Sequence, residues 1–99
     1  MGTKASKLPQ EADFHIDFEQ AKLLFEMLTP KRMELVQELR KAGPMTIYAL
    51  GKHLSRNYSN VHKDIKALRQ LGLIELNKAM MVYVPWDSVN ISFPLQSKK

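Results

Sequence analysis

Cysteine and long apolar runs are both missing from this sequence. None of the 99 residues is cysteine, which excludes disulfide bonds, iron–sulfur clusters and cysteine-ligated zinc sites. No run approaches the roughly 18 consecutive apolar residues that span a bilayer. The first ten residues carry positive charge without the apolar core of a signal peptide. We therefore expect a cytoplasmic protein.

Motifs that carry catalysis are missing as well. The sequence contains no nucleophile elbow, no phosphate-binding loop and no paired catalytic carboxylates, and its four glycines are isolated. His15, Asp17 and Glu19 alternate along the chain and could present three metal ligands on one strand face, but scattered residues of this kind are more often plain solvent contacts. We expect no enzyme activity, no metal and no cofactor.

Charge is distributed unevenly along the chain. Fifteen Lys and Arg against ten Asp and Glu give a formal net charge of +5. Residues 11–28 are net −4, whereas residues 31–69 are net +6. A concentrated basic region favours a polyanionic partner, although a solvated Lys-rich surface has the same composition.

The composition and periodicity predict one small domain. A hydrophobic content of 44% with 25% charged residues is typical of a soluble chain with a single core. We expect the domain to occupy residues 12–95, between disordered segments at residues 1–11 and 96–99. Alternating apolar residues predict short strands over residues 13–18 and 89–93. These strands could pair within one chain or between two chains.

Helical spacing and capping residues predict four helices and a hairpin between those strands. Thr29, Thr46 and Asn57 can accept hydrogen bonds from free amides at helix starts. Gly43 and Gly72 tolerate the positive φ that suits a position just past a helix end. The predicted helices cover residues 19–28, 30–43, 47–54 and 58–71, and the predicted hairpin strands cover residues 73–76 and 81–84.

The fourth predicted helix has one polar, basic face. Val61, Ile65 and Leu68 form its apolar stripe, which must face the core. The face opposite the apolar stripe holds no acidic residue. Asp64 lies beside the stripe, where it is better placed to pair within the protein. The residues on the polar side are Ser59, Lys63, Lys66 and Gln70, flanked by Asn60 and His62.

Such a face suits a DNA groove. Asn can read adenine with two hydrogen bonds, Lys can reach guanine acceptors, and Ser, Tyr and free helix amides can hold phosphates. An ordinary polar helix start would have a similar composition. We expect Asn57 to cap the helix and His62 to contact DNA or solvent. The candidate contacts in the groove are Ser59, Asn60, Lys63 and Lys66. The candidate contacts with phosphate are Lys52, Arg56, Tyr58 and Arg69.

The segment IYALGKHLSRNYSNVHKDIKALRQLGLIEL, residues 47–76, resembles the MarR-like winged helix-turn-helix transcriptional regulators of bacteria and archaea. The matching positions are Leu50, Leu54, Val61, Leu68, Leu71, Gly72, Leu73 and Ile74. The resemblance covers about residues 30–85 and is closest to the small stand-alone prokaryotic regulators. It implies an α+β winged helix-turn-helix fold. The wing, with NKAM at its tip, offers only Lys78 to DNA.

The resemblance further implies a sequence-specific double-stranded DNA-binding regulator, most simply a repressor. We expect a homodimer formed by the terminal strands and the acidic first helix, because paired recognition helices read pseudo-palindromic sites. The alternative is a winged helix used as a protein-interaction module, including an antitoxin-like regulator that also binds a partner protein.

Overall fold

The computed structural model describes residues 12–93 and residue 95, and in this part of the chain the fold is α+β. The described residues contain four helices and two two-stranded sheets. The segments predicted to be disordered, residues 1–11 and 96–99, lie outside the described residues. The elements in chain order are β1 (Asp13–Ile16), α1 (Phe18–Met27), α2 (Pro30–Ala42), α3 (Ile47–Leu54), α4 (Tyr58–Leu71), β2 (Glu75–Leu76), β3 (Val82–Tyr83) and β4 (Ser88–Ile91).

Capping interactions fix the helix boundaries. Thr29 Oγ1 accepts a hydrogen bond from the Arg32 amide, and Thr46 Oγ1 accepts one from Ala49, as the sequence predicts. The first strand is shorter than predicted because Asp17 caps α1. Its carboxylate accepts from the Gln20 amide at 2.8 Å, and the Gln20 side chain accepts from the Asp17 amide at 2.9 Å. Asp17, one of the three weighed metal ligands, thus has a structural role.

The terminal strands β1 and β4 pair with each other in parallel within one chain. Their register sets Phe14 beside Val89 and Ile16 beside Ile91. Ile16 is buried at 4% exposure, whereas all four residues of β4 are exposed. The prediction of two terminal strands is therefore confirmed. The sequence left open whether they pair within one chain or between two chains, and in this structure they pair within one chain.

The hairpin of β2 and β3 has an additional partner that the sequence did not predict. The strands are antiparallel and only two residues long each. Met45, in the link between α2 and α3, donates its amide to the Val82 carbonyl at 3.1 Å and accepts from the Val82 amide at 2.8 Å. These bonds attach the hairpin to the start of α3, and the burial of Val82 follows from this position.

The core lies between the helices and the two sheets. Trp86 connects several parts of it: its ring stacks on Phe14 with centroids 5.0 Å apart, and its indole N–H donates to the Gly72 carbonyl at 2.8 Å. The buried apolar residues are Ile16, Ala21, Leu24, Leu35, Leu39, Leu50, Val61, Ile65, Leu68, Leu73, Ile74 and Val82. Within the described residues, no helix combines the length and apolar character that crossing a membrane requires.

One buried carboxylate joins three parts of the chain. Asp64 on α4 is 8% exposed and accepts from Arg32 Nε at 2.8 Å and from Arg56 Nη2 at 2.7 Å. Arg32, at the start of α2, also donates from Nη1 to the Met27 carbonyl at the end of α1. The prediction that Asp64 pairs within the protein is confirmed. We call these three side chains the Asp64 clamp.

The clamp keeps Asp64 ionised. Burial raises the pKa of Asp64, but the hydrogen bonds and positive charges of Arg32 and Arg56 outweigh burial and leave the pKa below its ordinary value. A carboxyl group whose pKa is lower in the folded than in the unfolded state stabilises the fold fully at pH values above its unfolded pKa, which is about 3.9 for Asp. That contribution is lost as the pH falls through the folded pKa.

We therefore predict that Asp64→Asn lowers the free energy of unfolding by about 3 kcal/mol at pH 7, since it leaves two arginines without their counter-charge in a poorly solvated site. Urea denaturation of both proteins measures the difference, which should shrink as the pH falls below about 4.

Glu38→Gln is the matched control. Glu38 also pairs with side chains on its own and a neighbouring helix, Lys41 at 3.5 Å and His53 at 3.4 Å, but these pairs are largely solvated. The control should change stability far less than Asp64→Asn. Equal stability of Asp64→Asn and the original chain would contradict the clamp.

Candidate nucleic-acid interface

A tight turn sets α4 against α3. Ser55 adopts the left-handed conformation with φ of 56°, and the Arg56 amide donates back to the Gly51 carbonyl at 2.9 Å. A Cβ on Gly51 would lie 3.3 Å from the Arg56 carbonyl oxygen. A residue without a side chain therefore suits this position, and the close approach brings the start of α4 directly after α3.

The start of α4 is capped as predicted. Asn57 Oδ1 accepts from the Ser59 amide at 2.8 Å, from the Asn60 amide at 3.4 Å and from the Ser59 hydroxyl at 2.6 Å. One part of the sequence interpretation needs correction. The amides of Ser59 and Asn60 are used by the cap, so they are not the free phosphate donors that a bare helix terminus would offer.

The exposed face of α4 carries the predicted polar residues. Val61, Ile65 and Leu68 are buried, which confirms the direction of the apolar stripe. Because residues three and four apart lie on one side of a helix, Ser59, Lys63, Lys66 and Gln70 form a continuous row opposite this stripe, and the other candidates lie beside that row. The exposed candidates on α4 are Tyr58, Ser59, Asn60, His62, Lys63, Lys66 and Arg69, and Asn57 before the helix and Lys52 on α3 are exposed as well.

This surface is basic because its nearest carboxylate points inward. Asp64 is the one Asp or Glu in residues 39–74, and its charge is paired with two arginines in the Asp64 clamp. Lys63, Lys66 and Arg69 therefore stand on α4 without an acidic side chain on the same helix to neutralise them. These basic side chains are exposed to solvent, where they can attract an anionic partner.

Arg56, predicted from the sequence to contact phosphate, is ion-paired within the protein. Its side chain is 17% exposed and is held by Asp64, and its Nη1 is buried with no hydrogen-bond partner among the described residues. The buried carboxylate of Asp64 holds this guanidinium against the protein. Its contact with phosphate stays a prediction, and the hydrogen bond to Asp64 gives the side chain a second role in joining the turn to α4.

A shallow groove of about 350 Å³ between α3 and the start of α4 adds a residue that the sequence analysis missed. Tyr48 is 63% exposed there, and Lys52 Nζ lies 5.2 Å from the centre of its ring. Tyr58 is 51% exposed and lines the same groove. The spacing of four residues between Tyr48 and Lys52 on a helix was the available signal.

The hairpin offers little charge, as expected from NKAM. Asn77 Oδ1 accepts from the amides of Ala79 and Met81 and closes the turn. Met80 takes a positive φ of 64° and is 66% exposed. Lys78 is exposed in this turn, on a different element from the α4 face.

The cap geometry makes a testable prediction. Asn57→Ala removes the acceptor for the first amides of α4 and should lower the free energy of unfolding by about 1 kcal/mol, whereas Asn57→Asp preserves an acceptor and should keep most of the stability. Thermal unfolding followed by circular dichroism measures both. An alanine variant as stable as the original chain would contradict the assigned cap.

Comparison with known proteins identifies a family. A search of curated proteins gives no match. A family model described as HVO_A0114 matches residues 27–91, which include α2, α3, α4, both hairpin strands and β4. Since this match covers well over half of the chain, the protein belongs to the HVO_A0114 family.

Proposed function

We propose that this protein is a sequence-specific double-stranded DNA-binding regulator of transcription with a winged helix-turn-helix architecture. In this proposal α3 and α4 are the helix-turn-helix, α4 is the recognition helix, and the β2–β3 hairpin is the wing. The proposal rests on the arrangement of these elements and on the chemistry of the α4 surface, as the MarR-like resemblance implies.

The basic outer face of α4 is the observation that carries the proposal. A major groove about 12 Å wide admits one helix, and an acidic side chain on its outer face would be repelled by phosphates. Lys63 and Lys66 are exposed here, and the one carboxylate of the helix is paired inside the protein. Asn60 and Ser59 on the first turn are short enough to enter the groove first.

Other exposed side chains supply the phosphate contacts in this proposal. Lys52, Tyr48 and Tyr58 line the groove between α3 and α4. Arg69 lies about two and a half turns beyond Asn60 along α4. Ammonium and phenol groups both bind phosphate oxygens without reading sequence. Lys78 adds at most one wing contact. Repression by covering a promoter requires only such a DNA-binding surface.

The first experiment is selection of duplexes from a random double-stranded DNA library with the full chain, followed by affinity measurement. A preference of about 10³-fold or more for selected over scrambled duplexes is the expected result for specific readout. Equal, steeply salt-dependent binding would indicate charge alone and contradict sequence specificity. No binding to any duplex would favour the protein-interaction module.

Single substitutions then test the α4 face. Asn60→Ala should cost about 1 to 3 kcal/mol on the selected duplex and relax the preference at one base pair. Lys66→Ala should reduce the salt slope by about 1 if Lys66 contacts phosphate, or relax the preference if it contacts a base. Fluorescence anisotropy at several salt concentrations separates these results.

Lys22→Ala is the matched control for the lysine substitution. Lys22 is exposed on α1, outside the helix-turn-helix, and its removal changes the net charge by the same amount. Affinity and salt slope should remain close to those of the original chain. Equal losses for Lys22→Ala and Lys66→Ala would mean that total charge, and not the α4 face, governs binding.

A further inference from the structure

Among the described residues, β4 has an open edge with few protective features. It has β1 on one side, and all its residues, Ser88–Ile91, are exposed. The segment SVNI contains no proline, no lysine and no other charge, although charges and prolines are the usual means of preventing edge pairing. The backbone N–H and C=O groups along such an edge have no strand to bond, so they can pair with an additional strand.

The sequence of β4 and the next residue is self-complementary. SVNIS reads polar, apolar, polar, apolar, polar in both directions. If two copies meet antiparallel about a two-fold axis at Asn90, Val89 lies opposite Ile91 of the second copy, and Asn90 lies opposite itself. Matched cross-strand pairs of this kind stabilise a sheet, and no ionisable groups oppose each other.

Backbone geometry supports the same register. The Ser92 amide donates to the Ile16 carbonyl in β1 at 2.8 Å. Since alternate residues of a strand direct their backbone groups to the same side, Val89 and Ile91 direct theirs toward the free edge. Val89 and Ile91 of the second copy would then form hydrogen-bonded pairs with them.

Charge favours β4 over the other strand for this contact. An antiparallel pairing of two β1 strands about His15 would oppose Asp13 and Asp17, and like charges directly opposite destabilise a sheet. The β4 pairing places β1, with its charges, at the outer edges of a four-stranded sheet. The acceptable partner for the β4 edge is thus a neutral strand, which a second copy supplies.

An apolar groove beside β4 extends this surface. The groove has a volume of about 330 Å³ and lies between β4 and the helices α1 and α2. Phe25 is 66% exposed and Met33 is 43% exposed on its helical side, and Val89 and Ile91 are 39% and 42% exposed on its strand side. A second β4 strand brings two more apolar side chains to this side of the sheet.

We propose that two copies of this chain form a homodimer by antiparallel β4–β4 pairing centred on Asn90, with the adjacent apolar groove partly covered. This refines the dimer expected from the sequence: the β4 edge and the groove beside α1 form the contact, and β1 does not. The proposal stands independently of DNA binding, because the oligomeric state is measured without DNA.

The chain has no cysteine, so one introduced thiol gives an unambiguous cross-link. Asn90→Cys places two thiols across the axis at a non-hydrogen-bonded pair, where Cα atoms are about 4.5 Å apart and a disulfide can form. Mild oxidation should convert most of the protein to a covalent dimer that reducing agent reverses. Non-reducing electrophoresis measures the fraction.

His15→Cys is the matched control. His15 pairs with Asn90 in the β1–β4 register, so it lies at the same level of the sheet but one strand further from the axis. Its distance to the second copy's equivalent would be about 14 Å, three strand spacings, which no disulfide spans. Covalent dimer at His15 equal to that at Asn90 would overturn the proposed register.

Charge substitutions at the axis test the native association. Asn90→Lys and Asn90→Asp each place like charges opposite themselves, so each variant alone should sediment as a monomer, at about half the mass of the original dimer. Mixing the two variants should restore a dimer by pairing opposite charges. Circular dichroism confirms that each variant is folded.

Three results would overturn the proposal. The first is a monomeric original chain in sedimentation at tens of micromolar, which would leave the β4 edge to a segment of the same chain outside the described residues or to a different protein. The second is a dimer that persists in both charge variants, since the contact would then lie elsewhere. The third is the absence of a cross-link at Asn90 in a protein that is dimeric.

Discussion

The ion pairs of Asp64 with Arg32 and Arg56 are the interaction on which the arrangement of this molecule depends most directly. The apolar contacts of the core supply most of the stabilisation, but they are non-directional and would permit α4 to rotate or slide. Two hydrogen bonds to one carboxylate, from the start of α2 and from the turn before α4, are directional. They fix which face of α4 is turned inward.

The same interaction determines the electrostatics of the surface. A carboxylate on the outer face of α4 would offset one of its lysines; buried between two arginines, Asp64 neutralises positive charge inside the protein instead. Arg56 is consequently held by the framework through its pairing with Asp64. The exposed positive charge is left to residues whose side chains are free to reach solvent, chiefly Lys63, Lys66 and Arg69.

The chain thus separates two surfaces of different chemistry. The outer face of α4 is basic and polar, which suits a polyanion. The β4 edge is neutral and partly apolar, and it continues into a groove between β4, α1 and α2. In the two proposals, the dimer contact and the DNA contact use different elements, so neither contact blocks the other. The helix α1, with its excess of acidic residues, lies beside the dimer contact.

The sequence by itself determined the four helices, the N-caps Thr29, Thr46 and Asn57, and the apolar stripe of α4, because these depend on neighbours three or four residues away. It did not predict the Asp17 cap of α1, because the alternation of apolar residues extended the predicted strand through that position. It also located the terminal strands and the hairpin, and it placed Asp64 on the inward side. Only the tertiary structure decided the partners: Arg32 is 32 residues from Asp64, Met45 pairs with Val82, and β1 pairs with β4 across the whole domain. Such contacts depend on the packing of distant segments, which local periodicity does not encode. The pairing of Arg56 with Asp64 spans only eight residues, but it crosses the turn before α4, so it too depends on how the chain folds back at that turn.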